Sequence, residues 1–324
     1  MKPVVGIDSS VIVEELDQEK VRELNSLAEI VYFDPYAPED QIVSLLKDAV
    51  AIVDRKAKIS SKIIRELRNL KLIARTGAGV DETRVDLKAA KERDIIVTYN
   101  PGGNSVAVAE LTIMLAIALY RKVIPLALSV KAGKWSELKP KDTMGHELEG
   151  KAWGILGFGN IGKRVAQLAT SFNCKVLGYD PYVSSEIMEK YGVKSLPLEE
   201  LLSKSDIISI HVPLTESTRH LINSERLKTM KKTAILINVS RGGIIDDKAL
   251  YESLRNREIA GAALDTPEEE PVKVDNPLLS LDNVIITPHI GGSTFEASIK
   301  NANSAIEEVI RFLKGLPPLV PFRY

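Results

Sequence analysis

Short apolar runs alternate with amphipathic stretches from the start of the chain. Val4 to Ile7, Ile30 to Phe33, Val50 to Val53, Leu72 to Ala74 and Ile95 to Thr98 are each of strand length, and the segments between them space their apolar residues as helices do. Strands that alternate with helices build βαβ units, so these five runs predict a parallel sheet. The rhythm stops at the turn-forming cluster Asn100-Pro101-Gly102-Gly103-Asn104, where Gly102 and Gly103 also offer hinge points. A stretch from about Val106 to Val130 follows and is predicted as one long helix. A second series then runs through Trp153 to Leu156, Lys175 to Tyr179, Asp206 to Ile210, Ala234 to Ile237, Ile259 to Leu264 and Val284 to Thr287. Six strands make a complete doubly wound dinucleotide-binding sheet, in which ligands lie outside the carboxyl ends of the strands. The last helical stretch, about Thr294 to Leu313, lies beyond the final strand and is expected to return to the first domain. The predicted fold is α/β with two doubly wound parallel-sheet domains. One is discontinuous, residues 1–101 and 292–324, and the other spans residues 102–291. At about 150 residues per domain, a length of 324 agrees with two.

Composition narrows the chemistry. Hydrophobic residues at 44% and charged residues at 27% are those of a globular protein. With 43 basic and 44 acidic residues there is no global field to gather nucleic acid or an anionic membrane, so neither is expected as a partner and any anion must be held locally. The single cysteine, Cys174, excludes an internal disulfide framework and a multi-cysteine metal site; no metal is expected, and a reducing, cytoplasmic setting is. Residues 1–8 read as a strand reaching its first turn rather than as a leader peptide, and no window approaches a membrane span.

Directly after Leu156 comes Gly157-Phe158-Gly159-Asn160-Ile161-Gly162, with an amphipathic helix opening at once. In this G-x-G-x-x-G spacing the first glycine allows the tight turn, the second lets backbone approach a pyrophosphate, and the third lets helix pack on strand. The motif alone is weak. Asp180, at the end of the next strand and 23 positions after Gly157, strengthens it, because a carboxylate there can accept both hydroxyls of an adenosine ribose. The same carboxylate repels a 2′-phosphate, which favours NAD over NADP. A second glycine loop, Thr76-Gly77-Ala78-Gly79-Val80-Asp81, has Glu82 where a third glycine would stand; it reads instead as a pair of amides, at Ala78 and Gly79, able to hold a carboxylate.

A dinucleotide that exchanges hydride with the carbon of a carboxylate-bearing alcohol or ketone needs beside it a proton donor and a cation for the carboxylate. There are four histidines. His146 and His220 lie in polar connections. His211 and His289 each follow a strand, and only His289 is followed by Gly291-Gly292-Ser293, which leaves room for a bound ring. Neighbouring strand ends run into Asn238-Val239-Ser240-Arg241-Gly242-Gly243 and into Asp265 and Glu268-Glu269-Glu270-Pro271, so three consecutive strand ends offer Arg, Glu and His. A carboxylate bonded to His289 would fix the ring and favour its acid form.

Taken together, Thr76 to Asp81, Gly150-Lys151 ahead of Gly157 to Gly162, Gly178-Tyr179-Asp180-Pro181, Asn238 to Gly243, Gly261 to Asp265, Glu270-Pro271 and Pro288-His289-Ile290-Gly291-Gly292 make the chain resemble the D-2-hydroxyacid dehydrogenases over essentially its whole length, most closely those acting on 3-phosphoglycerate. The resemblance implies a Rossmann cofactor domain beside a flavodoxin-like substrate domain. It implies that Arg241 binds the substrate carboxylate and carbonyl, that His289 donates the proton and that Glu270 is its partner. It further implies that Asn160 and Ile161 approach the pyrophosphate, that Val212, Val239 and Ser240 line the cofactor, and that Asp265, Gly291 and Gly292 hold its nicotinamide end. A homodimer or larger homo-oligomer is implied, with the Val106 to Val130 helix at the subunit contact. So is a short form lacking a regulatory domain, since the chain ends at Tyr324. Two departures stand out: Asp265-Thr266-Pro267 where the family usually has Asp-Val-Phe, and Asp81-Glu82 where Asp-Asn is common.

For the substrate, Arg55, Lys56 and Lys58 after one strand and Arg75 before the carboxylate loop would together neutralise a phosphate. That makes 3-phosphoglycerate, oxidised to 3-phosphohydroxypyruvate, the first expectation, and reduction of glyoxylate or hydroxypyruvate the second. The reading from another class is a nucleotide-sensing protein resembling the corepressors of this fold, with formate or phosphite oxidation as a further alternative.

Overall fold

The computed structural model describes residues 2–11, 16–79 and 84–323. The chain divides into two compact units, residues 1–104 with 293–324, and residues 105–292. In the first, strands β1 (Val4–Asp8), β2 (Glu29–Phe33), β3 (Ala49–Asp54), β4 (Leu72–Arg75) and β5 (Ile96–Thr98) form one sheet in the order β2-β1-β3-β4-β5, every pair parallel. The order reverses between β1 and β3. There the fully buried Asp8, last residue of β1, accepts hydrogen bonds from the backbone amides of Arg55, Lys56 and Ala57 at 3.0, 2.6 and 3.1 Å, which fixes the turn after β3 to its neighbour. Helix Phe295–Leu313 covers β3 and β4 and packs on helix Gln18–Leu27. Its buried Ala302, Ala305, Ile306 and Val309 recur at helical spacing, and Thr294 caps it by accepting from the Ala297 amide.

The second unit holds seven parallel strands: β6 (Ala152–Leu156), β7 (Lys175–Tyr179), β8 (Lys194–Ser195), β9 (Ile207–Ile210), β10 (Ile235–Asn238), β11 (Gly261–Leu264) and β12 (Val284–Ile286), in the order β12-β11-β10-β9-β6-β7-β8. The expectation was six. The extra strand, β8, is two residues long, too short to leave a period in the sequence. β9, β10 and β11 are buried at every position, as parallel strands between layers of helices must be, and so read as continuous apolar runs. The strand order reverses between β6 and β9, which places the crevice of this sheet beside Gly157.

The long helix expected over Val106 to Val130 is two helices, Ser105–Tyr120 and Val123–Lys131, bent by 65°. Lys122 sits between them at φ +51°. The physical cause is Pro125. It has no N–H to donate and is tolerated in a first helical turn but not inside a continuous helix, so the second helix must begin just before it. The first helix packs against β10, β11, β12 and helix Asn160–Ser171. The second, also apolar, buries none of its residues. Among the described residues no single helix is long and apolar enough to cross a membrane.

Candidate active site

The three glycines after β6 have separable reasons to be glycine. Gly157 has φ +94°, and a Cβ there would lie 2.9 Å from the carbonyl carbon and oxygen of His211. A Cβ on Gly162 would lie 2.1 Å from the Gly157 carbonyl oxygen. Turn geometry and helix packing thus account for the first and third. Gly159 has nothing within 4 Å of its Cβ position, so neither reason applies, and what remains is room for a ligand to approach the backbone. Gly159 is the N-cap of helix Asn160–Ser171 and supplies no side-chain cap, so the first-turn amides, with exposed Asn160 and half-buried Ile161 at their head, face the place a pyrophosphate needs. Asp180 closes the cradle. Its Oδ2 accepts from the Phe158 amide and its Oδ1 from the Tyr182 amide, both at 2.8 Å, so the carboxylate expected to take ribose hydroxyls also fixes the glycine turn and keeps further lone pairs for a ligand. The residues present therefore fit a dinucleotide.

Next along the crevice, Val212 is half-buried and Val239 is almost fully buried in the core beneath the sheet. His211 stands apart from the chemistry. Its Nε2 lies 3.0 Å from Ser209 Oγ, which accepts from Trp153 Nε1, and burial pushes the imidazole down to about 3, so it stays neutral.

The ends of β10, β11 and β12 carry the three residues expected to do the chemistry. His289 Nδ1 is 2.9 Å from Glu270 Oε2, with both side chains partly open to solvent. The hydrogen bond at Nδ1 leaves Nε2 as the nitrogen able to face a substrate. His289 has φ +52° and is held there by Asp265. The Asp265 carbonyl accepts from the His289 amide at 3.1 Å, and its buried carboxylate accepts from Thr287 Oγ1 and from the amides of Ile290 and Gly291 at 2.6, 2.8 and 2.7 Å. Asp265, expected at the nicotinamide end, is first of all the brace of the histidine turn. Gly291 is buried against it: a Cβ there would lie 2.9 Å from Asp265 Oδ2. Gly292 is half-buried.

Arg241 is half-buried, with Nη1 donating to the Ser240 carbonyl at 2.8 Å. Asn238, a residue the sequence did not single out, ties its loop to the next. Its Nδ2 donates to the carbonyls of Arg241 and Thr266 at 2.8 and 3.4 Å, while its Oδ1 accepts from the Ser240 amide and hydroxyl. Gly242 is pressed against the Pro267 carbonyl, which lies 2.1 Å from where a Cβ would be. The arginine and glutamate loops are therefore one packed piece. The only hint of this in the sequence was an asparagine ending an otherwise apolar strand.

A family model for the NAD binding domain of the D-isomer specific 2-hydroxyacid dehydrogenases matches residues 113–291. The chain belongs to this family. It is 42% identical to D-3-phosphoglycerate dehydrogenase of Archaeoglobus fulgidus over 86% of this chain and 52% of that protein, and 40% identical to hydroxypyruvate reductase of Thermotoga maritima over 92% and 96%. It thus spans about half the length of the phosphoglycerate dehydrogenases it matches. A crystal structure of D-lactate dehydrogenase from Aquifex aeolicus, complexed with NAD and lactic acid, superimposes with a TM-score of 0.80 at 32% identity, over 96% of both chains.

In the first unit, Ala78 and Gly79 are half-buried in the loop after β4; Val80, Asp81 and Glu82 lie outside the described residues. The basic residues there are not a free cluster. Arg75 is buried and its Nη1 is 2.7 Å from Oδ2 of the fully buried Asp54, the register partner one strand away. Burial raises Asp54 to about 6 against the opposing pull of Arg75. Arg55 is half-buried and donates to the Ser10 carbonyl and Ser298 hydroxyl at 2.6 and 3.2 Å, and Lys56 is exposed. Arg75, expected to help neutralise a phosphate, has that charge compensated within the fold.

Proposed function

We propose that this chain reduces a small 2-oxo acid to the D-2-hydroxy acid, and runs the reverse oxidation, with NAD bound at the β6 crevice. The observation that carries the reading is the His289–Glu270 hydrogen bond at 2.9 Å beside an arginine loop packed onto the glutamate loop. When bound, the cofactor supplies or accepts the hydride at the alpha carbon. Arg241 holds the substrate carboxylate and polarises the carbonyl oxygen. His289 gives its Nε2 proton to that oxygen as reduction proceeds and takes it back in oxidation. Glu270 keeps the ring oriented and offsets its positive charge. Asp265 holds the turn that presents it.

For the substrate class, the Asp54–Arg75 pair supports an unphosphorylated acid such as glyoxylate or hydroxypyruvate ahead of 3-phosphoglycerate, because the buried carboxylate offsets the guanidinium a phosphate would need. Phosphoglycerate is the second reading, supported by 42% identity to the Archaeoglobus enzyme. A second copy of the chain is the partner we assign. Helix Val123–Lys131 leaves Val123, Ile124 and Leu128 exposed, and Met114 and Phe172 line an apolar cavity of about 400 Å³ beside it.

The test is an NADH oxidation assay over a panel of 2-oxo acids with and without phosphate, for the wild type and His289→Gln. Turnover should fall by about a thousandfold or more in the variant while NADH affinity is unchanged. Equal turnover in both would remove His289 as the proton donor, a wild type inactive on every acid would move the chain to the nucleotide-sensing class, and a phosphorylated acid preferred by more than tenfold would reverse the substrate assignment.

A further inference from the structure

His220 lies in a polar connection, where the structure gives it two partners. Its segment runs parallel to the stretch after Arg241. The His220 amide donates to the Gly243 carbonyl at 2.8 Å, the Ile222 amide to the Ile244 carbonyl at 3.0 Å, and the Asp246 amide to the Ile222 carbonyl at 3.0 Å. His220 itself has φ +48°, uncommon for a residue with a side chain. From that position its Nε2 lies 3.0 Å from Glu268 Oε1. The Glu268 amide in turn donates to Asp247 Oδ2 at 3.1 Å. Two residues on, Glu270 holds His289. One acidic run, Glu268 to Glu270, thus carries two imidazole–carboxylate pairs, and only the second has been given a task.

The first pair is 42% and 38% exposed, and an exposed ion pair adds little to stability. What it restricts is the freedom of the loop. By its backbone His220 is attached to the loop that carries Arg241; by its ring it is attached to the loop that carries Glu270. We propose that His220 is a positioning residue, which through Glu268 sets the placement of Glu270 and so the orientation of the His289 ring. The inference rests on His289 being the proton donor.

The test compares His220→Ala, His220→Gln, Glu268→Ala and the His220→Ala/Glu268→Ala double variant. His220→Ala should lower kcat by about five- to tenfold, well short of the hundredfold that a displacement of 1 Å can cost, with NADH affinity and melting temperature held. Gln presents an amide N–H near the place of Nε2 and should restore at least half the loss. The double variant should be no slower than the slower single variant, since both remove one link. In the substrate-free protein, the ¹⁵N shift of His289 Nδ1 should move away from its hydrogen-bonded value in His220→Ala and return in His220→Gln. An unmoved ring shift, an unchanged kcat in His220→Ala, or losses that multiply in the double variant would overturn the proposal. The ring shift needs no turnover, so a wild type inactive on every 2-oxo acid would sink the proposed function while leaving this measurement to decide the placement of His289.

Discussion

Alanine at Gly159 and at Gly162 should have opposite consequences, because the two positions are glycine for different physical reasons. At Gly162 the new carbon would lie 2.1 Å from the Gly157 carbonyl oxygen, nearly 1 Å inside the closest approach that real side chains show. That oxygen cannot yield cheaply. Gly157 is bonded through its own amide to the Tyr179 carbonyl at 2.9 Å, and the next amide, of Phe158, is bonded to Asp180. Overpacking of this kind costs ~1–3 kcal/mol, which lowers the melting temperature of a unit of this size by roughly 2–4 °C per kcal/mol. At Gly159 nothing lies within 4 Å, and φ −78°, ψ −157° is open to alanine. Gly159→Ala should therefore melt with the wild type or slightly above it, since alanine restricts the unfolded chain. Its methyl group, however, stands where the pyrophosphate must come, and NADH affinity should fall by about tenfold or more, equivalent to ~1.4 kcal/mol. Calorimetry and a fluorescence titration with NADH measure the two effects separately. Wild-type NADH affinity in Gly159→Ala, or wild-type melting of Gly162→Ala, would refute the assignment of the crevice.

The remaining predictions concern buried groups. His211, pushed from 6.5 to about 3, contributes stability that is complete above pH 6.5 and lost as pH falls toward 3, because the unfolded chain binds the proton first. Replacing it with Gln should flatten the fall in unfolding free energy between pH 6.5 and 4, and parallel slopes for the two proteins would count against a buried neutral ring. Asp54, raised from 3.8 to about 6, has the opposite sign: the stability it contributes is present below 3.8 and is lost as pH rises through 6. The wild type should lose stability relative to Asp54→Asn as pH rises from about 4 to 6, followed by urea unfolding; a constant difference would argue against the raised value. Asp265→Asn sets an amide donor against at least one of the three donors on that carboxylate. It should cost ~1–3 kcal/mol and reduce turnover more than NADH affinity; undiminished turnover would show that the turn does not depend on it.

The sequence by itself determined the parallel sheets and the dinucleotide crevice and singled out the candidate reactive groups, because each is written in local terms. Buried parallel strands must be short apolar runs, a turn that admits a pyrophosphate must be G-x-G-x-x-G, and an acid, a base and a cation at consecutive strand ends are few enough to find by elimination. It missed the break in the long helix although Arg121-Lys122 and Pro125 mark it, because the runs on either side, Ile113 to Tyr120 and Val123 to Leu128, are both apolar and read as one. It missed β8 because two residues carry no period. What only the tertiary structure decided was pairing between residues far apart in the chain. Asp54 with Arg75, Asp8 with the turn at 55–57, Asn238 with Thr266, and His220 with Glu268 are each joined by the order in which strands lie in a sheet. That order is set by crossovers and packing over the whole unit, and polar side chains at strand ends carry no mark of which neighbour they will meet.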